Sequence, residues 1–130
     1  MDTRNEQILV IDDEIIIRTV LEKFLSRHFR VAVFDNGRQA MDWLQKGYHA
    51  DLMIVDVQMP EMKGDEFLSL VRQASNELRD VPIFMLSGHE EQMERKRLLA
   101  LGADEYFLKP VHPIQLKEKI DAYLKTKETK

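Results

Sequence analysis

Five short runs, "QILVI" (7–11), "VAVF" (31–34), "DLMIV" (51–55), "PIFML" (82–86) and "EYFL" (105–108), constrain this chain more than any other feature. Each has strand length, is rich in branched or aromatic side chains, and lacks the clean polar–apolar alternation of a strand with one wet face. Such runs suit strands buried on both faces, the pattern of a parallel sheet covered on each side. Between them the spacing becomes helical. Ile17, Val20, Leu21, Phe24 and Leu25 fall on one stripe of a helix. Phe67, Leu70, Val71 and Ala74 repeat it, as do Leu116, Ile120, Tyr123 and Leu124. The segment "HEEQMERKRLLALGA" yields only a weak stripe, Met93, Arg97, Ala100 and Leu101, amid dense charge. Asn36-Gly37, Gly47, Gly64, Gly88 and Gly102 fall between elements, and Pro113 suits the first turn of the last helix.

Five strands alternating with five helices predict a three-layer α/β domain, a parallel sheet with helices on both faces and right-handed crossovers. The 130 residues make one domain, with a core over about 7–125 and a solvated tail at 126–130. No internal repeat or interdomain linker interrupts it. The absence of cysteine excludes thiolate nucleophiles, disulfides and cysteine zinc sites. A formal charge of −4 argues against direct nucleic-acid binding, which wants a basic face. The polar start "MDTRNEQ" is no signal peptide, and no apolar stretch is long enough to cross a bilayer, so a cytoplasmic location is expected.

Sites in such sheets lie beyond the carboxyl ends of the strands. There the sequence places Asp12-Asp13 after the first strand, Asp56 after the third, Ser87-Gly88 after the fourth and Lys109-Pro110 after the fifth. Asp35-Asn36, after the second, reads as turn and cap chemistry. Asp12-Asp13 alone would be an ordinary helix start, and Asp56 alone a turn former. Gathered together, three acids cannot all stay ionised without a cation. All-oxygen donors select Mg²⁺, with Mn²⁺ able to substitute. His28, His49, His89 and His112 lack metal-ligand spacing and read as solvated or loop residues. An ammonium beside these acids makes sense if a still more anionic group must be held. The expected guest is a phosphoryl group, with the Ser87 hydroxyl and backbone amides as donors and one aspartate as nucleophile.

The motifs Asp12-Asp13, "DVQMPEMKG" (56–64), Ser87-Gly88 and "GADEYFLKP" (102–110) resemble, in order and spacing, those of response-regulator receiver domains of the CheY-like type. The resemblance covers Ile8 to Leu124. It implies the flavodoxin-like strand order 2-1-3-4-5 and a phosphorylation switch in two-component signalling. Asp56 is then the phosphoacceptor for a histidine kinase or histidine phosphotransfer protein. Asp13, Asp56 and the Gln58 carbonyl would ligate Mg²⁺, with Asp12 acting through metal-bound water, while Lys109 and Ser87 hold phosphoryl oxygens. The Lys109-Pro110 bond would be cis, Ser87 and Tyr106 would form the switch pair, and Gln58 and His89 would tune hydrolysis. An output protein or domain would dock on the face made by the fourth helix, fifth strand and fifth helix, with Arg97 in the contact. Ser87 stands where Thr is commoner, and Val111 and His112 depart from the usual Phe and Ser or Thr.

Other readings weaken on inspection. A phosphatase of the haloacid dehalogenase type needs a second acid two residues after its nucleophile, where Gln58 stands. A dinucleotide-binding module needs a glycine-rich turn after the first strand, where Asp12-Asp13 would repel pyrophosphate. A receiver that binds partners without being phosphorylated would not need the full set of five polar groups. A receiver cut from a longer regulator with a transcriptional or enzymatic output domain remains open.

Overall fold

The computed structural model describes residues 5–89 and 91–128. Strands β1 (Gln7–Ile11), β2 (Arg30–Phe34), β3 (Leu52–Asp56), β4 (Ile83–Ser87) and β5 (Glu105–Leu108) alternate with helices α1 (Ile15–Leu25), α2 (Gly37–Gln45), α3 (Gly64–Arg72), α4 (Gln92–Leu101) and α5 (Pro113–Glu128). A short 3₁₀ turn, Glu77–Asp80, precedes β4. The sheet is wholly parallel in the order β2-β1-β3-β4-β5, as expected.

Alternation along the buried strands divides the core in two. Leu9, Ile11, Met53, Val55, Ile83 and Met85 pack toward Ala40 and Leu44 of α2, Phe67, Leu68 and Val71 of α3, and Leu98 of α4. Their sequence neighbours Ile8, Val10, Leu52, Ile54, Phe84 and Leu86 pack toward Leu21 and Leu25 of α1 and Leu116, Ile120 and Leu124 of α5. Because both faces are covered, nothing along these strands can be polar until they end. That is why β1 and β3 reach carboxylates only at the sheet's edge.

Several expectations shift. Burial on both faces holds for β1, β3 and β4, whereas β2 and β5 are sheet edges and only half-buried. The third and fourth strands start and end one residue later than the apolar runs. Asp51 donates its N–H to the Gln7 carbonyl but receives the Gln7 N–H on its side-chain carboxylate, which closes the ladder there, and Pro82 has no N–H to offer. Val20 and Leu70 lie on exposed helix faces, 48% and 46% accessible, while Leu68 takes the buried place. In α4 the expected stripe fails: Met93 and Leu101 face outward, Arg97 and Ala100 are exposed, and Leu98 is the single buried residue. Helix α5 continues through Glu128 into the expected tail, since "KTKE" contains strong helix formers and no breaker. Residues 129–130 lie outside the described residues.

The punctuation is clearer. Asn36 caps α2 by accepting from the Gln39 N–H, and Pro113 opens α5. Gly102 ends α4 at φ 116°, a left-handed conformation that suits glycine, and a Cβ there would sit 2.9 Å from Arg72 Nε. Gly64 is required by crowding: a Cβ would come within 2.9 Å of Val57 Cα and closer still to the Asp56 carbonyl oxygen. Helix α3 therefore begins flush against the end of β3. Among the described residues, no helix is long and apolar enough to cross a membrane.

Candidate functional site: an acidic cleft at the carboxyl edge of the sheet

Parallel strands with helices on both faces deliver their ends to one edge, and four of the five deliver chemistry there. Asp12 and Asp13 follow β1, Asp56 ends β3, Ser87 ends β4 and Lys109 follows β5. An open cleft of about 480 Å³ is lined by Asp13, Glu14, Asp56, Gln58, His89 and Lys109, among others. A larger cavity of about 560 Å³ lies at the opposite edge, between residues 44–51 and 76–81, and contains none of this chemistry.

Lys109 is the hub. Its ammonium is 3.1 Å from Asp12 Oδ2, 3.1 Å from Asp56 Oδ1 and 2.6 Å from Glu14 Oε1. Asp12 and Asp56 are buried, at 0% and 2% exposure, whereas Asp13 is exposed. Asp12 Oδ1 accepts from the Glu14 N–H, and Asp56 Oδ1 accepts weakly from the Gln58 N–H at 3.3 Å. The Lys109-Pro110 peptide is cis, as expected.

The charges are out of balance. Burial, followed by the charge of Asp12, pushes the Asp56 carboxyl up to about 7, against the opposing pull of Lys109. Burial also raises Asp12. Burial works against the Lys109 ammonium too, but the Glu14 hydrogen bond and the charges of Asp12 and Asp56 outweigh it and raise its pKa. One ammonium serves two buried carboxylates, Asp12 and Asp56, and the exposed Glu14, with the exposed Asp13 beside them.

Such a cleft has room for a cation. Asp12, Asp13 and Asp56 each offer an oxygen, and these oxygens lie within 4.8 Å of one another. Buried Asp12 Oδ2 is met by the shared Lys109 ammonium at 3.1 Å and by no other hydrogen-bond donor among the described residues. An all-carboxylate donor set with more acid than its one shared ammonium can neutralise fits a hard divalent ion.

Ser87 and Tyr106 are brought together by a residue the sequence had not singled out. The Ser87 hydroxyl lies 3.0 Å from the His89 carbonyl oxygen and 3.1 Å from Glu94 Oε1. The Tyr106 hydroxyl donates to the same Glu94 oxygen at 2.8 Å and lies 3.1 Å from the same carbonyl. Tyr106 is buried, so its ring faces the core and not solvent. Arg95 lies over that ring, 5.5 Å from its centroid.

The other expected positions lie around the cleft and on α4. Gln58 and His89 are exposed on the cleft wall. Arg97 is already engaged, pairing with Asp65 of α3 at 3.0 Å. Among the remaining histidines, His28 packs against Phe24 and Phe29, and His49 contacts Asp51 at 2.7 Å. Glu14 could have been suspected from its place beside Asp12-Asp13. Glu94 could not, because seven residues beyond Ser87 it is one charge among many on α4.

Comparison with known proteins agrees with this geometry. Residues 8–121 match the family model described as the response regulator receiver domain. The chain is 34% identical over 107 residues to the "Two-component response regulator ORR3" of Oryza sativa subsp. indica, covering 82% of this chain and 81% of that one. It is 36% identical over 129 residues to the "Probable transcriptional regulator ycf27" of Cyanophora paradoxa, covering 98% of this chain and 52% of that one. The fold superposes on the chemotaxis response regulator CheY4 of Vibrio cholerae with a TM-score of 0.83 at 30% identity, over 92% of this chain and 99% of that one. The match spans every strand end that feeds the cleft, and the chain belongs to the response regulator receiver domain family, as a receiver domain of two-component signalling.

Proposed function

We propose that the protein is a phosphorylation-activated switch in which Asp56 takes a phosphoryl group from a histidine kinase or histidine phosphotransfer protein. The observation that carries this reading is the excess of buried carboxylate around one ammonium at the end of β3. An Asp56 carboxylate oxygen attacks phosphorus, the donor's P–N bond breaks, and the freed imidazole leaves with its electron pair. A later attack by water returns the carboxylate and releases inorganic phosphate, so the switch resets itself.

In this reading Asp13, Asp56 and the Gln58 carbonyl would hold Mg²⁺, or Mn²⁺, with the Asp12 carboxylate beside them adding negative charge. When bound, the ion neutralises the acids and the incoming phosphoryl oxygens. Lys109 supplies the remaining positive charge and Ser87 a hydroxyl donor. The rigid strand end gives Asp56 a fixed aim, which favours transfer by positioning. Gln58 and His89, on the wall of the cleft, set how readily water reaches the acyl phosphate. The signal leaves through α4, β5 and α5 as a population shift that moves Ser87 and Tyr106 together. A cytoplasmic location accompanies this role.

The test is direct. Incubation with acetyl phosphate and Mg²⁺, followed by intact mass measurement, should add one phosphoryl group to the parent and none to Asp56→Asn. An unmodified parent, or equal labelling of both, overturns the assignment. A second reading, that the same face drives a covalently attached output domain, is favoured by a chain spanning about half of the ycf27 regulator.

A further inference from the structure

The hydrogen bonds around Glu94 do not balance in the way phosphoryl capture requires. Two hydroxyls, Ser87 and Tyr106, bring one proton each. Two acceptors, Glu94 Oε1 and the His89 carbonyl, lie within 3.1 Å of both hydroxyls. Ser87 Oγ also accepts from the His89 N–H at 3.1 Å. Both protons are therefore committed, and the shorter contact, Tyr106 to Glu94 at 2.8 Å, is charge-assisted. A phosphoryl oxygen on Asp56 can receive the Ser87 proton only if Ser87 withdraws it from this pair of acceptors.

Glu94 lies in the first turn of α4, a helix that buries only Leu98 among its own residues. The carboxylate thus links both hydroxyls to an element weakly tied to the core. Arg95, the next residue, covers the Tyr106 ring on the same turn.

We propose that Glu94 is a positioning residue that holds the Ser87 and Tyr106 hydroxyls together in the unphosphorylated state, so that phosphoryl capture must first release them. This rests on the reading of Asp56 as phosphoacceptor. It adds a specific energy barrier to that reading: the strength of the Glu94 contacts sets the resting population and the response to a given phosphodonor. Glu94 does not touch the reacting atoms and acts only through the two hydroxyls.

The experiment uses beryllofluoride with Mg²⁺ as the phosphoryl mimic, titrated into the full chain and followed by fluorine NMR. Parent, Glu94→Gln and Glu94→Ala are compared, each alone and in a Ser87→Ala, Tyr106→Phe background. Glu94→Ala should half-saturate at a mimic concentration roughly ten- to a hundredfold lower than the parent, the range expected for losing one hydrogen bond to a charged group. Glu94→Gln should fall between, because its amide oxygen still accepts but carries no charge. In the background without hydroxyls, all three side chains at 94 should behave alike.

Half-saturation by Glu94→Ala at or above the parent concentration overturns the proposal. Equal gains for Gln and Ala also overturn it, since bulk charge would then be the cause. A gain that persists in the background without hydroxyls overturns it as well, pointing to the helix and not to the hydroxyls. The acetyl phosphate labelling of the parent separates the layers. A labelled parent with no effect at 94 removes only this inference, whereas an unlabelled parent that binds no mimic removes the phosphoacceptor reading beneath it.

Discussion

Arg72 and Lys109 carry a cation into opposite edges of the same sheet, and their surroundings differ in kind. At the edge where β4 and β5 begin, Arg72 donates to the carbonyls of Gly102, Arg79 and Val81 and pairs with Asp104 at 2.9 Å. Asp104 in turn accepts from the Ile83 N–H. The fork of donors is matched to neutral carbonyls and a single acid, which is how a charge is buried to hold a fold together. At the carboxyl edge, one ammonium, that of Lys109, faces Asp12, Asp56 and Glu14 together. One edge is satisfied by the protein itself. The other holds more acid than the ammonium facing it can neutralise.

The largest effect that sharpens this contrast is expected at the satisfied edge. Arg72→Ala removes the positive charge paired with Asp104 and takes a donor from three carbonyls. It should cost about 3 kcal/mol in chemical denaturation, as breaking a partly buried ion pair does. Labelling of the folded variant by acetyl phosphate should be unchanged. If labelling falls with stability, the two edges are not independent.

A smaller effect of opposite sign is expected at the acidic edge. Burial lifts Asp56 to about 7, above the usual carboxylate value, so the folded state holds a proton that the unfolded state has released. Between about pH 4 and pH 7 the folded protein binds more protons, and stability must fall as pH rises through that window. Without divalent ions, Asp56→Asn should gain about 2 kcal/mol at pH 8 and flatten the slope, after allowance for solvent at the cleft mouth. Addition of Mg²⁺ should recover much of that gain in the parent alone. Denaturant titrations across pH, with and without chelator, decide it; a parent whose stability rises from pH 4 to 7 without metal breaks the contrast.

The smallest expected effect is at the rim. Glu14 is more than half exposed, and its 2.6 Å contact with Lys109 is open to solvent screening. Glu14→Gln should change stability by no more than about 0.5 kcal/mol. The variant should nevertheless label faster with acetyl phosphate, by about twofold, because Lys109 is released from a competing anion. A loss of labelling would make Glu14 part of the site and not its competitor.

How much of this could be read in the sequence follows the same division. Runs such as "LMIVD" announce themselves because burial on two faces leaves no polar position inside a strand, and strand ends then locate Asp12, Asp13, Asp56 and Lys109. Contacts between helices were harder. Leu68 and Leu70 lie two residues apart, equally apolar, and only packing decides that Leu68 is buried. In α4 the apolar residues are too few to define a stripe, so Leu98 could not be told from Leu99 or Leu101. Glu94 was invisible for a related reason. Its role depends on two hydroxyls that arrive from β4 and β5, and nothing in a charged helix marks which acid will meet them.

The glycine at the start of α3 determines where the molecule can yield. With no side chain at Gly64, the helix seats directly on the main chain of Asp56 and Val57, and its own N–H bonds the Val57 carbonyl at 3.0 Å. Asp56 thus has its back to a wall. Compliance is left to the opposite side of the cleft, where a handful of hydroxyl contacts, the Arg97–Asp65 pair and one buried leucine restrain a charged helix.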